Sequence, residues 1–211
     1  MHNNADWKEA FASAGAFWQM NYDQPTGAHA ELTSGKHSDG YINCSKLVTN
    51  PALVSDIAAG IIAQLQAHAG YQRPDWVIGP AYGAIGYAYE VARQLKTQFG
   101  FTEVQYTDEG KMQVLSRFDI APTDTVLVIE DVTTTGGSAL KTARVVEETG
   151  AKVLPMIGLI MNWSGEVEIE GYQIVSLLSE QMNVYDPADC PLCAAGSTAV
   201  RPKKHWDELA R

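Results

Sequence analysis

The chain has 211 residues, of which 45% are hydrophobic and 19% charged, a composition that predicts one domain with a sizeable buried core and argues against intrinsic disorder. Asp and Glu outnumber Lys and Arg by 25 to 15, which gives a formal net charge of −10 and argues against a nucleic-acid-binding protein, although backbone amides can still bind a phosphorylated small molecule. The sequence has no apolar run long enough for a membrane span, no signal peptide and only 3 cysteines, so we expect a cytoplasmic protein with neither a membrane nor a nucleic-acid partner.

The predicted elements alternate between helices and strands. Apolar residues at spacings of three or four predict helices, and short apolar runs bounded by turn residues predict strands. In chain order these are a helix over 6–20, extended pieces at 29–32 and 41–44, a helix over 51–69, a strand over 76–78, a helix from 84 to 95, a strand over 102–106, a turn at 107–111, strands over 112–118 and 125–129, a helix over 137–150, and strands over 153–161 and 174–178. This order predicts an α/β fold, with a central, mainly parallel sheet and helices on both of its faces.

The domain organisation follows from changes in composition. We expect a single domain over residues 1–211, because the chain contains no internal repeat and no low-complexity linker. Residues 1–46 become rich in Gly, Ser, Thr and His after their first helix, which predicts a small N-terminal subdomain, or hood. Residues 186–211 contain prolines and glycine without clear periodicity, and we expect an irregular tail.

The most informative stretch begins with the apolar strand 125–129. This strand leads into two adjacent carboxylates, Glu130 and Asp131, and then into a turn that opens a helix. The turn contains hydroxyl groups and glycines suited to a phosphate, because glycine lets backbone amides approach and a helix N-terminus favours an anion. Its residues are Thr133, Thr134, Thr135, Gly136, Gly137 and Ser138. Carboxylates would repel a phosphate but accept hydrogen bonds from ribose hydroxyls, so the stretch predicts a ribose 5-phosphate site.

This stretch resembles the signature by which type I phosphoribosyltransferases bind 5-phosphoribosyl-1-pyrophosphate (PRPP). The loop after strand 76–78 is similar to the diphosphate loop of the same family, in which successive backbone amides meet the diphosphate. Its predicted residues are Pro80, Ala81, Tyr82 and Gly83. The resemblance implies the type I phosphoribosyltransferase fold, transfer of the phosphoribosyl group to a nucleobase nitrogen, Mg²⁺ as cofactor without a dedicated protein metal site, and a homodimer.

Within the family, the orotate phosphoribosyltransferase branch is the most similar. Residues 34–41 resemble its hood segment, and Thr134 stands where purine enzymes usually carry Asp. The resemblance implies conversion of orotate to orotidine 5′-monophosphate, a step of pyrimidine nucleotide biosynthesis. It makes Glu130, Asp131 and Lys111 the candidate catalytic residues. It also assigns base recognition to Ser34, Gly35, Lys36, Tyr41, Asn162 and Trp163.

Three departures from the orotate pattern leave the base open. The mobile loop is short, with Lys111 as its one cation, and Thr33 replaces the Lys that commonly precedes the hood motif. Asn162 and Trp163 stand where this branch usually carries Asp-Arg, and neither supplies a guanidinium for the orotate carboxylate. Either another cation, with Lys36 and Arg117 as candidates, meets that carboxylate, or a neutral base stacks on Trp163. A transferase for another base, such as a purine, and a non-catalytic PRPP-sensing regulator therefore remain alternatives.

One further motif lies in the tail. Cys190 and Cys193 have CxxC spacing, and His205 is a possible third metal ligand. A structural zinc site needs four ligands and usually takes them from two cysteine pairs, yet the chain has no second CxxC. The sequence therefore favours a reduced thiol pair over a metal site.

Overall fold

The computed structural model of the protein describes residues 4–22, 27–32, 34–107, 110–115, 117–133 and 136–209. The elements, in chain order, are α1 (Asn4–Ser13), β1 (Phe17–Gln19), β2 (Ala28–Glu31), β3 (His37–Ser38), β4 (Gly40–Ile42), α2 (Cys44–Val48), α3 (Pro51–Ala67), β5 (Trp76–Pro80), α4 (Ile85–Leu95), β6 (Gln98–Thr107), β7 (Gly110–Val114), β8 (Thr125–Thr133), α5 (Gly137–Glu147), β9 (Lys152–Asn162), β10 (Glu168–Ile169), β11 (Tyr172–Ser179), β12 (Val184–Tyr185), a 3₁₀ turn (Pro187–Asp189), α6 (Pro191–Ala194), β13 (Thr198–Val200) and α7 (Trp206–Leu209). They divide between a larger compact unit, Met1–Trp7 with Val48–Glu180, and a smaller one, Lys8–Leu47 with Gln181–Arg211.

The larger unit is built on a seven-stranded sheet in the order β10-β11-β9-β8-β5-β6-β7. The five central strands are parallel to their neighbours, whereas β10 and β7 join the two edges antiparallel. Ile78 and Val128 face the apolar side of α5, while Ile129 points the other way, towards α3 and over Gly158. The predicted α/β fold, with a mainly parallel sheet covered by helices on both faces, is confirmed.

The predicted helix over 6–20 is wrong in its second half. The helix α1 ends at Ser13, and Gly15 adopts a left-handed backbone with φ of +63° that a helix cannot continue through. Phe17 and Trp18 then form β1, which pairs antiparallel with β4. Local helical spacing of apolar residues was therefore overridden by strand pairing.

Residues 186–211 are not uniformly irregular, contrary to the sequence-based expectation. They contain α6, β13 and α7, and β13 pairs parallel with β2, placing Thr198 opposite Ala28 and Val200 opposite Ala30. The four-stranded sheet of the smaller unit has the order β12-β3-β2-β13. Apolar side chains from both ends of the chain share the core of the smaller unit. Among these are Trp18, Met20, Ala28, Ala30, Cys190, Leu192, Val200 and Leu209. The order of residues 186–211 therefore depends on contacts with distant residues, which their prolines and glycine do not reveal.

The remaining elements agree with the predicted types but differ at their ends. Asn50 caps α3 by accepting a hydrogen bond from the Leu53 amide, as predicted. The strand predicted over 125–129 extends to Thr133, because β8 continues to pair with β9 as far as Asn162. Within the described residues, no helix combines the length and the apolar character that a membrane crossing requires.

Candidate active site

The loop that follows β5 lies beside the carboxyl end of β8. The two strands are parallel neighbours, with Ile78 paired to Val128. Both therefore run towards the same edge of the sheet, where open parallel sheets bind their ligands. β5 ends at Pro80, and residues 81–84 form the turn before α4.

The predicted diphosphate loop contains a cis peptide bond between Ala81 and Tyr82, a feature that the sequence could not establish. The Ala81 amide donates a hydrogen bond of 2.7 Å to the Thr102 carbonyl oxygen of β6. The Tyr82 side chain is 87% exposed. Thr102 thus supports the loop through its backbone, and for that reason no side-chain motif identified it beforehand.

The Asp131 carboxylate packs against Gly83 of this loop. A Cβ atom built on Gly83 would overlap Asp131 Oδ2 and Cγ. Glycine permits this approach without strain, because a Cβ here would require the carboxylate or the loop to shift. The structure therefore brings the predicted diphosphate loop and the predicted acidic pair into direct contact.

The two carboxylates of the acidic pair occupy different environments. Glu130 is 5% exposed, and burial raises its pKa well above the ordinary value, assisted by the hydrogen bond and negative charge of Asp131. The Asp131 amide, 3.3 Å from Glu130 Oε1, acts in the opposite direction. Asp131 is half-buried, and its Oδ1 accepts a hydrogen bond from the Val132 amide at 2.9 Å. The pair thus favours a bound proton, cation or hydroxyl donor at Glu130.

The turn between β8 and α5 is closed by its own residues. Thr133 is buried, and its Oγ1 accepts a hydrogen bond from the Gly136 amide at 2.6 Å. Gly136 has φ of +78° at the start of α5, where Gly137 and Ser138 are exposed. Thr134 and Thr135, which the sequence predicts to bind phosphate, lie outside the described residues. The exposed first turn of α5 is the type of helix N-terminus that binds phosphate.

Asn162 and Trp163 adjoin the turn between β8 and α5. The Trp163 amide donates to the Thr133 carbonyl oxygen at 3.0 Å. The Asn162 side-chain amide donates to the Glu166 carbonyl oxygen at 2.9 Å, while its Oδ1 accepts from Ser164. The Asn162 side chain therefore stabilises the turn formed by residues 162–166. Trp163 is only 8% exposed, so little of its ring surface remains for a base to stack on.

Lys111 lies on a strand, although the sequence predicts it in a turn. β7 begins at Gly110 and places Lys111 opposite Tyr106 of β6. Residues 108 and 109 and the Lys111 side chain are outside the described part of the structure. Arg117, a candidate cation for the base carboxylate, forms an ion pair with Glu103 at 3.0 Å.

The predicted hood residues lie in the smaller unit. Gly35 adopts φ of +81°, in a turn where the Lys36 amide lies 3.4 Å from Ser34 Oγ. Lys36 Nζ is 3.3 Å from Asp186 Oδ1 and half exposed, while Tyr41 belongs to β4. Ser34, Gly35 and Lys36 therefore share one turn.

The sequence of residues 44–195 matches the family model of the phosphoribosyl transferase domain. The chain belongs to the phosphoribosyltransferase family. Orotate phosphoribosyltransferase of Caldicellulosiruptor bescii is 37% identical over 174 residues, which cover 82% of this chain and 87% of the relative. That of Thermotoga maritima is 37% identical over 183 residues, covering 85% of this chain and 94% of the relative.

Solved phosphoribosyltransferases share the fold. The crystal structure of orotate phosphoribosyltransferase from Aeropyrum pernix matches with a TM-score of 0.66 and 22% identity, covering 82% of this chain and 92% of that one. Adenine phosphoribosyltransferase from Rhodothermus marinus matches with a TM-score of 0.57 and 17% identity, over 84% of this chain and 100% of that one. At these identities the likeness concerns the architecture and not the base.

The contact between Gly83 and Asp131 predicts that a methyl group added at position 83 lowers activity. Gly83→Ala should lower kcat/KM for PRPP by about 10²-fold, because displacing a positioned group by about 1 Å costs that much. Steady-state kinetics with varied PRPP measure the effect. Gly27→Ala is the matched control, since a Cβ there meets no atom within 4 Å. Equal kinetics for the two variants would contradict the assigned contact.

Proposed function

We propose that this phosphoribosyltransferase transfers the phosphoribosyl group of PRPP to the ring nitrogen of orotate, releasing diphosphate and forming orotidine 5′-monophosphate, a step of pyrimidine nucleotide biosynthesis. The observation that carries the proposal is the contact of Asp131, at the end of β8, with Gly83 of the β5 loop. This contact unites a ribose site and a diphosphate site at one sheet edge. The relatives named orotate phosphoribosyltransferase support orotate as the base.

The bound PRPP has three parts, and each is assigned to a different segment. The exposed first turn of α5, after Gly136, binds the 5′-phosphate through backbone amides and the Ser138 hydroxyl. The loop of residues 80–83 offers its backbone to the diphosphate. Glu130 and Asp131 accept hydrogen bonds from the ribose 2′- and 3′-hydroxyls. The sugar is thereby held between its two phosphate groups.

The donor set fits Mg²⁺ at this site. Two adjacent carboxyl groups provide the hard oxygen ligands that Mg²⁺ takes, and the raised pKa of Glu130 reflects an unfavourable negative charge that a divalent cation would offset. When bound, Mg²⁺ supplies charge neutralisation for the departing diphosphate. Glu130 and Asp131 are the residues that would hold it.

The protein stabilises the transition state through the fixed positions of these groups. The bond between C1′ and the diphosphate oxygen breaks, and its electron pair leaves with the diphosphate. The base nitrogen bonds to C1′ and gives up its proton, which the released diphosphate accepts, and C1′ carries positive charge in between. The Glu130 and Asp131 carboxylates hold the adjacent hydroxyls and offset that charge. Backbone amides of the 81–83 loop hold the leaving diphosphate in place.

A panel of free bases tests the proposal directly. Orotate, uracil, adenine and hypoxanthine are each incubated with the protein, PRPP and Mg²⁺, and diphosphate release is measured. We expect orotate to give the highest kcat/KM, with orotidine 5′-monophosphate as product. Greater activity with another base would overturn orotate as the substrate. PRPP binding without diphosphate release from any base would instead identify a regulator.

Removing Lys111 should affect chemistry more than binding. Lys111→Ala is expected to lower kcat by about 10-fold to 10²-fold with a smaller change in the PRPP dissociation constant, because a group that closes over the diphosphate acts mainly in the transition state. Rapid-quench kinetics and calorimetry separate the two effects. Lys152→Ala is the control, since Lys152 is exposed at the start of β9, whereas the candidate site lies at the other end of that strand. Weaker PRPP binding with unchanged kcat would make Lys111 a simple binding residue.

The orotate carboxylate requires a cation, and Lys36 is the half-exposed candidate in the predicted hood. Lys36→Met should raise KM for orotate by about 10-fold, because one charge-assisted hydrogen bond contributes about 1.5–3 kcal/mol. The KM for PRPP should change little, and Lys203→Met, at an exposed terminal lysine, serves as control. An unchanged KM for orotate in this variant and in Arg117→Met would refute both cation assignments.

We further propose that the protein is a homodimer, as the resemblance to the family implies, and that it is located in the cytoplasm. Sedimentation of the full chain should give twice the monomer mass of 22.9 kDa. A monomer at the concentration of the activity assay would contradict this assembly.

A further inference from the structure

Four potential metal ligands converge in the smaller unit, and none of the four has a role in the proposed phosphoribosyl transfer. They are His29, His37, Cys190 and Cys193, and their ligand atoms all lie within 4.8 Å of one another. His29 and Cys190 are 161 positions apart in the sequence. The cluster therefore exists only because the two ends of the chain fold together.

The distances within the cluster are those of one tetrahedron. His29 Nε2 lies 3.1 Å from His37 Nδ1, 3.7 Å from Cys190 Sγ and 3.6 Å from Cys193 Sγ, and Cys193 Sγ is 3.4 Å from His37 Nδ1. Tetrahedral zinc, with Zn–S of about 2.3 Å and Zn–N of about 2.0–2.1 Å, separates two nitrogens by about 3.3 Å and a nitrogen from a sulfur by about 3.5–3.6 Å. The observed spacings thus fit one ion at the centre.

Strand pairing places the two imidazoles together. β2 and β3 are antiparallel, with Glu31 opposite His37. His29 lies two residues before Glu31, so its side chain is on the same face of the sheet as that of His37. The two ring centroids are 4.9 Å apart.

Helix α6 places the two thiols. Cys190 immediately precedes the helix, Pro191 begins it, and Cys193 follows within its single turn. Residues three apart lie on one side of a helical turn, so the CxxC spacing directs both sulfur atoms to the imidazoles. Both cysteines are free thiols. His205, the third ligand considered from the sequence, instead pairs with Glu208 at 2.8 Å.

The surroundings are those of a structural site. His29, His37 and Cys190 are buried, and Cys190 belongs to the apolar core of the smaller unit. His29 Nδ1 lies 2.9 Å from Ser197 Oγ, which orients the ring and leaves Nε2 directed at the thiols. Metal-binding histidines use such a second partner to fix the ring and tautomer.

A hydrogen-bonded network does not account for this arrangement. His29 Nε2 has three contacts, with His37 Nδ1 at 3.1 Å, Cys190 Sγ at 3.7 Å and Cys193 Sγ at 3.6 Å. An imidazole nitrogen has either one hydrogen or one lone pair in the ring plane, so hydrogen bonding accounts for one of these contacts and not for all three. An ion at the centre satisfies all four groups at once, with thiolates and neutral imidazoles as ligands.

We propose that His29, His37, Cys190 and Cys193 bind one Zn²⁺ ion, which fastens the β2–β3 hairpin to the C-terminal segment. A tetrahedral set of two sulfurs and two nitrogens is characteristic of zinc, and four protein ligands leave no open position for substrate. An iron–sulfur cluster bound by this set would hold the histidines and the cysteines on different irons, further apart than these contacts allow. The role is structural, because a unit with a small core gains stability from a metal.

Metal content tests the site without relying on activity. The full-length protein is prepared without chelator, exposed to excess Zn²⁺, desalted and analysed by mass spectrometry for metal, and we expect about one zinc per chain. The double variant Cys190→Ala/Cys193→Ala should lose that zinc. Cys44→Ala, which removes a buried thiol outside the cluster, should keep it, as should His205→Ala.

Cobalt substitution of the unaltered protein covers the case in which the double variant does not fold. Co²⁺ in the proposed site should give the intense visible bands of tetrahedral cobalt and an ultraviolet thiolate charge-transfer band, both abolished by added Zn²⁺. Less than about 0.1 zinc per chain after reconstitution would overturn the proposal, given that structural zinc sites are normally fully occupied. Zinc retention by the folded double variant, or a Cys190–Cys193 disulfide in the zinc-treated protein, would overturn it equally.

Discussion

Asp131→Asn is expected to lower kcat by about 10²–10³-fold, the usual cost of losing one preorganised group that stabilises transition-state charge. The substitution is nearly isosteric and leaves the approach of Gly83 intact, while it removes the negative charge beside the ribose. Because the lost interaction strengthens as positive charge develops at C1′, kcat should fall far more than PRPP affinity. Single-turnover kinetics at saturating PRPP and orotate measure the chemical step directly.

Asp56→Asn is the matched control for this change, because Asp56 is exposed on α3. It should have the turnover and melting temperature of the unaltered protein. If Asp131→Asn turned over within a few-fold of the unaltered protein under saturating conditions, Asp131 would have no catalytic role. If only PRPP affinity fell, Asp131 would be a binding residue for the ground state.

Glu130→Gln should lower turnover by about 10²-fold and yet raise the stability of the ligand-free protein at neutral pH. Burial raises the pKa of Glu130 in the folded chain, whereas in the unfolded chain the pKa is ordinary, about 4.3. The folded state therefore binds a proton more tightly, and stability is lost as pH rises from the unfolded pKa through the folded one. Glutamine stays neutral, so the melting-temperature gain of the variant should be small near pH 4.5 and grow towards pH 8.

Ligand binding provides the complementary readout for Glu130. PRPP with Mg²⁺ brings hydroxyl donors and a cation to the buried carboxylate, so it should raise the melting temperature of the unaltered protein more than that of Glu130→Gln. Glu180→Gln, at a partly exposed carboxylate beyond β11, should behave like the unaltered protein. A melting-temperature difference independent of pH would mean that Glu130 ionisation does not cost folding free energy.

The different burial of Glu130 and Asp131 explains why only Glu130→Gln is expected to raise the stability of the ligand-free protein. Glu130 and Asp131 are adjacent near the end of β8, yet Glu130 is buried and Asp131 is half-buried. Burial of the Glu130 carboxyl group thus costs folding free energy when it ionises, but it keeps a second carboxylate within reach of the ribose. Such a conflict between folding and function is typical of active sites.

The amino-acid sequence by itself determined the features that local chemistry controls. The strand, acidic pair, glycine turn and helix of residues 125–147 are contiguous, so their order alone defines a phosphate and ribose site. The Asn50 cap of α3 and the glycine that follows α5, Gly150 with φ of +88°, are equally local. Resemblance of these segments to known motifs supplied the family, and their alternation supplied the α/β class.

Tertiary structure decided what depends on residues far apart in the chain. Three features arise from contacts between distant segments: the close approach of Gly83 to Asp131, the strand β1 in place of a predicted helix, and the pairing of β13 with β2. The histidines of β2 and β3 carried no metal-binding spacing relative to Cys190 and Cys193, because chain folding, and not sequence separation, brings those four side chains together. Local propensity is a free-energy difference of a fraction of a kcal/mol per residue, and burial of apolar side chains in a shared core outweighs it.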